Sequence, residues 1–271
     1  MKKTIAIAGL GWLGKPLAQH LSFLGHTIKG SVTSQRKATA LQQSGIDTYV
    51  INSTEDGLYG AAQGFLKKVD TLVIMIPPGL RRNTGADYVL KMSHLLTEIL
   101  KSKVANIVFI SSTSVYDDTQ GKVTEKQVPL PRTQAAKQLF QVEQLFFNAP
   151  GIKTTIVRFG GLIGGARQHV KHLAGRVDLD GGNAPVNLIH KKDCIGIISS
   201  IIKQDAFGHI FNAVHPNHPK KKEYYTQKAK ELDLIAPRYS ESKDDMPNKQ
   251  VDSSCATLTC LTGNGRRAPR S

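Results

Sequence analysis

Lys3-Thr4-Ile5-Ala6-Ile7-Ala8-Gly9-Leu10-Gly11-Trp12-Leu13-Gly14 is a short apolar run that ends in Gly-x-Gly-x-x-Gly. Thr4 to Ala8 reads as a strand, and Leu17-Ala18-Gln19-His20-Leu21 as the start of an amphipathic helix. The glycines divide the work between them. Gly9 permits a tight turn off the strand. Gly11, lacking a Cβ, lets a pyrophosphate approach the backbone, and Gly14 lets the helix lie close on the sheet. Trp12 and Leu13 complete the loop, and the N–H groups and positive dipole end of the helix start suit phosphate. A second strand, Thr27-Ile28-Lys29-Gly30-Ser31-Val32, closes a βαβ unit, the context that separates a dinucleotide loop from an ordinary glycine-rich turn.

The end of that second strand bears on the choice of cofactor. An NAD site commonly carries an acid about 20 residues beyond the glycines, where it binds the ribose 2′-hydroxyl. Here the stretch is Gly30-Ser31-Val32-Thr33-Ser34-Gln35-Arg36-Lys37, with no acid. The hydroxyls of Thr33 and Ser34 and the guanidinium of Arg36 suit a 2′-phosphate, which arginine grips with two parallel bonds. NADP is therefore expected over NAD, and NAD stays open. So does a plainer reading of Arg36 and Lys37 as ordinary residues of a first helical turn.

The rest alternates in the same way. A helix is expected over residues 34–44, a strand over Asp47 to Ile51, and a near-continuous apolar strand over Val69 to Ile76. Pro77-Pro78-Gly79 stops that strand; the prolines either wall the cofactor or only terminate the strand. Gly85 to Lys101 has helical spacing, and Ile107 to Ile110 is a strand running into Ser111-Ser112-Thr113-Ser114-Val115-Tyr116. Hydroxyls at such a strand end can bind a substrate oxygen or satisfy loose backbone groups. Residues 117–132 read as loop, and Thr133 to Asn148 as a helix with Thr133 as N-cap. A strand over Ile152 to Phe159 leads to Gly160-Gly161-Leu162-Ile163-Gly164-Gly165, a flexible or tightly turned segment near a ligand, or a plain connector. Asp193 to Lys203 is an apolar helix, Gly208 to Ala213 a short strand, and Lys220 to Leu232 a helix. The fold class is α/β, a doubly wound parallel sheet of Rossmann type with a small C-terminal lid. Residues 1–165 form the dinucleotide domain, with the sheet completed by 186–214. Residues 166–185 and 215–250 form the lid, and 251–271 a poorly ordered tail without amphipathic pattern.

Composition narrows the function classes. In 271 residues, 40% of them hydrophobic, no apolar run approaches the length of a membrane span, about 20 residues. Lys2-Lys3 before Ile5-Ala6-Ile7-Ala8 mimics a signal peptide, but the glycines interrupt the apolar region. Three cysteines, Cys194, Cys255 and Cys260, make no disulfide framework and no zinc spacing, so a cytoplasmic protein is expected, with Cys194 buried in a helix. The formal charge of +15 draws polyanions in principle. Lys67-Lys68 and Lys220-Lys221-Lys222 are short and scattered, and no nucleic-acid motif accompanies them. The expected partner is a small molecule, with no nucleic acid and no membrane; a homodimer stays open.

Taken together these residues resemble the extended short-chain dehydrogenase/reductases. The match rests on Gly9-x-Gly11-x-x-Gly14, on Ser111-Ser112-x-x-Val115-Tyr116, and on a downstream helix bearing Lys137. Pro185-Val186-Asn187-Leu188-Ile189-His190-Lys191-Lys192-Asp193 and Asn212-x-x-x-Pro216-x-His218-Pro219 resemble the atypical, YeeZ-like branch of the NAD-dependent epimerase/dehydratase family, and the likeness spans residues 3–250. It implies a catalytic Ser/Thr, Tyr and Lys, the last two four residues apart on one helix. The Ser position falls on Ser112, with Thr113 beside it. The Lys position falls on Lys137, a ligand for the nicotinamide ribose, and the Tyr position falls on Thr133. A phenol, with a pKa of about 10, serves as proton donor or acceptor. An aliphatic alcohol is far less acidic, so another acid is needed. Tyr116 is the nearest substitute in sequence, or else a packed aromatic. His190 and Asp193 are expected to fix a loop and a helix start. The resemblance implies an NADP-dependent oxidoreductase or a nucleotide-sugar epimerase/dehydratase-like enzyme, its substrate held by Ser112, Thr113 and residues 160–165. A non-catalytic NADP-binding sensor is the alternative.

Overall fold

A computed structural model describes residues 1–79, 87–240 and 248–253. In chain order the strands and helices are β1 (Thr4–Ala8), α1 (Gly14–Phe23), β2 (Thr27–Val32), α2 (Gln35–Gln43), β3 (Asp47–Ser53), β4 (Leu58–Gly60), α3 (Ala62–Leu66), β5 (Thr71–Ile74), α4 (Tyr88–Leu100) and β6 (Asn106–Ser112). There follow β7 (Lys122–Val123), α5 (Gln134–Phe147), β8 (Lys153–Phe159), β9 (Gly161–Ile163), β10 (Leu188–His190), α6 (Lys191–Lys203), β11 (Ile210–Ala213), α7 (Lys221–Glu231) and β12 (Gln250–Val251).

The main sheet runs β11-β8-β6-β5-β1-β2-β3-β4. β1 pairs in parallel with β2 on one side and β5 on the other, β2 with β3 and β5 with β6 likewise, while β4 is antiparallel to its neighbour β3. The chain thus winds outward from β1, returns to β5 and winds outward again. That is the doubly wound Rossmann topology, with its switch point between β1 and β5. Hydrocarbon fixes the register. Ile5, Ala6 and Ile7 of β1 and Leu72, Val73 and Ile74 of β5 are all fully buried, as central parallel strands require. Leu17, Ala18 and Leu21 bury one face of α1. Each fully buried leucine contributes about 1.5–3 kcal/mol.

The chain divides into two compact units. The first comprises residues 1–111, 133–157 and 195–210, and the second residues 112–132, 158–194 and 211–271. Besides the last residues of β6, β8 and β11, the second unit contains two small parallel ladders, β9 with β10 and β12 with β7.

Several local features differ from the sequence reading. β4 and α3 were not anticipated, because at three and five residues they are too short to show a period. Residues 117–132 are not plain loop: Asp118–Gln120 form a 3-10 turn behind an Asp117 capping box, and β7 follows. Gly161–Ile163 is a strand, and the turn comes after it, at Gly164 and Gly165 with φ of 129° and 58°. Val251, assigned to the tail, is fully buried in β12, while residues 254–271, with Cys255 and Cys260, lie outside the described residues. Gly85 of the predicted helix also lies outside them; the observed helix begins at Tyr88, behind an Asp87 cap. Cys194 is fully buried, and burial pushes its thiol pKa up.

Candidate functional site

In the first unit the three glycines of the loop stand in different surroundings. Gly9 has φ of +107°, a conformation side chains disfavour, and a Cβ there would lie 3.1 Å from the Met75 carbonyl oxygen. A Cβ on Gly14 would come within 2.1 Å of the Gly9 carbonyl oxygen and 3.5 Å of Ile7 Cγ2 in β1. A Cβ on Gly11 would meet nothing within 4 Å. Gly9 and Gly14 are therefore required by the chain itself, and Gly11 is not. Gly11 is exposed, Trp12 half-buried, and Leu13 and Gly14 buried.

The start of α1 differs from that of α2, α4 and α5. Those are capped by Ser34, Asp87 and Thr133, whose side chains accept from Lys37, Leu90 and Ala136 N–H. The N-cap of α1 is Leu13, which has no side-chain acceptor, and its first turn carries no acidic residue. A helix start left this way, beside an exposed Gly11 with open space over it, fits an anion. Thr33 and Arg36 are exposed at the junction of β2 and α2, beside the half-buried Ser34. Pro77 is exposed and Pro78 half-buried just beyond β5. Lys137 is exposed on α5, one turn past Thr133. Thr133 Oγ1 accepts from Ala136 N–H at 3.2 Å, so this hydroxyl is the helix cap the sequence suggested.

The second unit holds the remaining candidates around a cavity of about 310 Å³. Ser112, Thr113 and Gly161 line it, as expected, but so do His169, Asn187, Lys221, Tyr225 and Lys249, which the sequence reading did not select. Asn187 lies in the Pro185–Asp193 stretch, and Lys221 and Tyr225 in the helix expected over Lys220 to Leu232, but nothing in those patterns pointed to a cavity. Ser112 is half-buried and accepts from Ser114 N–H at 3.2 Å, capping the 3-10 turn Thr113–Val115. Thr113 is buried. The glycines of 160–165 serve close packing: a Cβ on Gly160 would lie 2.7 Å from the Asn187 carbonyl oxygen, and one on Gly161 2.7 Å from Leu188 Cδ2.

Tyr116 does not line the cavity and is 1% exposed. Its hydroxyl accepts from Arg158 Nη1 at 2.7 Å and lies within donating distance of the Thr124 carbonyl, 3.1 Å, and Asn212 Oδ1, 3.2 Å. The guanidinium also sits 5.1 Å from the ring centroid. Burial raises the phenol pKa, against the opposing pull of Arg158. Buried and bonded in this way, Tyr116 lies within a packed polar cluster and away from the cavity. His190 Nδ1 accepts from Lys192 N–H at 3.2 Å, at the start of α6.

No protein-family model matches the chain. Protein YeeZ of Escherichia coli K12 is 36% identical over 255 residues, covering 93% of this chain and 92% of that protein. The chain belongs to the YeeZ family. The YeeZ protein of Escherichia coli O157:H7 matches to the same extent. Among solved structures, MoeE5 in complex with UDP-glucose and NAD superposes with a TM-score of 0.76 at 16% identity, over 98% of this chain and 94% of that one. UDP-N-acetylglucosamine 4-epimerase from Bacillus cereus gives 0.74 at 18%, over 93% and 91%. A short-chain dehydrogenase/reductase superfamily protein from Agrobacterium tumefaciens, with bound NAD, gives 0.72 at 16%, over 96% and 91%. At such identities the likeness is one of fold: this YeeZ family chain has the fold of the epimerases and short-chain dehydrogenases. Among the described residues no helix is long and apolar enough to cross a membrane, and no group of metal-binding side chains is found.

Proposed function

We propose that this chain binds a nicotinamide dinucleotide on the Gly9–Gly14 loop of its first unit and a small polar substrate, a sugar nucleotide by class, in the cavity of its second. The observation that carries the first half is the uncapped start of α1 beside the sterically free Gly11. Every other constraint on that loop is internal, so Gly11 is best explained by something that is not protein. Backbone N–H groups there would hold the pyrophosphate, and Lys137 the ribose hydroxyls. The bound cofactor would supply a hydride acceptor or donor. Thr33, Ser34 and Arg36, with no acid in the stretch, favour NADP over NAD.

Ser112 and Thr113 carry the second half. Their hydroxyls can orient and polarise a substrate oxygen. Thr133 falls at the position where the short-chain dehydrogenase resemblance implies a phenol, and its hydroxyl is occupied as a helix cap. That favours a second reading, a non-catalytic NADP-binding sensor. A cytoplasmic location accords with both readings, the one described cysteine being a buried free thiol.

Calorimetric titration with NADP and NAD tests the cofactor. Binding to neither would overturn the reading. Arg36→Asp should weaken NADP at least tenfold while leaving NAD within about twofold; equal losses would remove the 2′-phosphate assignment. NADPH consumption across a panel of sugar nucleotides and carbonyl compounds then separates enzyme from sensor, since tight binding without turnover favours the sensor.

A further inference from the structure

One wall of the second unit's cavity is made by a segment far away in sequence, Asn248 and Lys249, just before β12. Side chains from three other segments hold it. The Asn187 amide works as if it were one more strand residue: its Nδ2 donates to the Lys249 carbonyl at 2.9 Å, and its Oδ1 accepts from Val251 N–H at 2.8 Å. Asn212 Nδ2 donates to the Asp252 carbonyl at 3.0 Å. The Asp252 carboxylate meets Lys122 at 2.9 Å and His218 at 3.2 Å. Backbone bonds join Gln250 N–H to Gly121 and Asp252 N–H to Val123. A peptide carrying so many specific anchors over five residues is built to be placed, and what it places at the cavity is Lys249.

The Lys249 ammonium donates to the Tyr116 carbonyl and pairs with Asp118 at 3.2 Å. Its side chain is 17% exposed, whereas that of Asp118 is 68% exposed. The Lys249 side chain is thus held mostly out of solvent, while its acidic partner is a solvated surface group whose pairing is worth about 0–1 kcal/mol. An anion in the cavity can take the place of Asp118 at little cost. Lys221 also lines the cavity, and among the described lining residues Asp118 is the one carboxylate.

We propose that Asn248–Asp252 is a strap that completes the substrate cavity and selects for a phosphoryl-bearing ligand, with Lys249 meeting the anionic group and Asn187 positioning the strap. This rests on the reading that the cavity takes a ligand. Its test is kept apart from cofactor binding by using hydrogen exchange at the amides of Gln250, Val251 and Asp252, with pyrophosphate as the probe. Pyrophosphate on the glycine loop would protect a separate set of amides, those of Gly11 to Gly14. In wild-type protein pyrophosphate should slow exchange at the three strap amides at least threefold. Lys249→Met should abolish that protection, and Lys249→Arg, which keeps the charge, should retain it. Without ligand, Asn187→Leu, which removes both the acceptor of Val251 N–H and the donor to the Lys249 carbonyl, should speed exchange at Val251 at least tenfold, with the amides of β1 and β5 unchanged. Strap exchange indifferent to pyrophosphate, or equal protection in Lys249→Met, would overturn the proposal, whatever the NADP titration shows.

Discussion

Ile5, Ile7, Leu72 and Val73 of the first unit are fully buried hydrocarbon, and around Tyr116 in the second unit the buried groups are a guanidinium, a phenol and an amide. One region is fixed by the removal of apolar surface from water, which is non-directional and tolerant of small changes. The other is fixed by directional bonds, where each buried polar group needs its partner and a missing one costs the full desolvation of the group left behind. The first arrangement suits a loop that presents bare backbone to a ligand. The second suits a cavity whose walls come from scattered segments, because only specific bonds can hold short pieces of chain such as β7 and β12 in register.

The largest expected effect separates the glycines within the first region. Gly14→Val places carbon 2.1 Å from the Gly9 carbonyl oxygen and should destabilise the fold by about 3 kcal/mol or more, read from the urea midpoint. Gly11→Val meets open space, so it should alter stability by less than about 0.5 kcal/mol. It should nevertheless abolish dinucleotide binding. Equal stability losses at the two positions would break the distinction between a glycine kept for the chain and one kept for a ligand.

The next effect probes the polar region. Tyr116→Phe removes the hydroxyl acceptor of Arg158 Nη1 and the one proton that the Thr124 and Asn212 oxygens compete for. It should cost about 1–3 kcal/mol at nearly constant volume. A neutral result in denaturant titration would mean that the network is held by its other members, and that the contrast between the regions is weaker than the burial suggests.

Legibility follows the same division. β1 and β2 could be read residue by residue, and α1 as a helix that in fact begins at Gly14, three residues before the expected Leu17, since apolar runs and a 3.6-residue period are local properties of the sequence. The Thr133 cap was legible too, being a side chain bonding three residues ahead. The ladder between β7 and β12 was not, because Lys122 pairs with Gln250, and neither two-residue strand has a pattern of its own. Lys249, beside that short ladder, gave no sign of lining a cavity, Lys221 showed only as the start of a helix, and the bond between Arg158 and the Tyr116 hydroxyl joins residues 42 apart, which no local pattern reveals. The glycines of 160–165 read as a flexible or tightly turned segment or a plain connector, because a close approach of Gly160 to Asn187 cannot be inferred from either segment alone.

Thr133→Ala should cost about 1 kcal/mol, through the lost cap on α5, and Thr133→Ser should be nearly neutral. Because the cap is local, its effect should show in thermal melts and leave exchange at the strap amides untouched. Linked changes at both places would blur the line between the units.

The smallest effect depends on pH and belongs to Asp252. Burial works against its ionised form, but bonds from Lys122 and Gln250 and the charges of Lys122 and His218 outweigh it, holding the carboxyl below its usual 3.8. A depressed pKa in the folded state means that the unfolded chain binds the proton more readily. The carboxylate therefore stabilises the fold at all pH values above the unfolded pKa, and that contribution is lost as pH falls through the folded one. Wild-type protein should melt slightly higher than Asp252→Asn at about pH 7, and the gap should close towards about pH 3. Since Lys122 is largely exposed, added salt should shrink the gap at neutral pH as well. A gap independent of both pH and salt would assign the role of Asp252 to hydrogen bonding by shape, which asparagine reproduces poorly, and would remove charge from the account of how the strap is held.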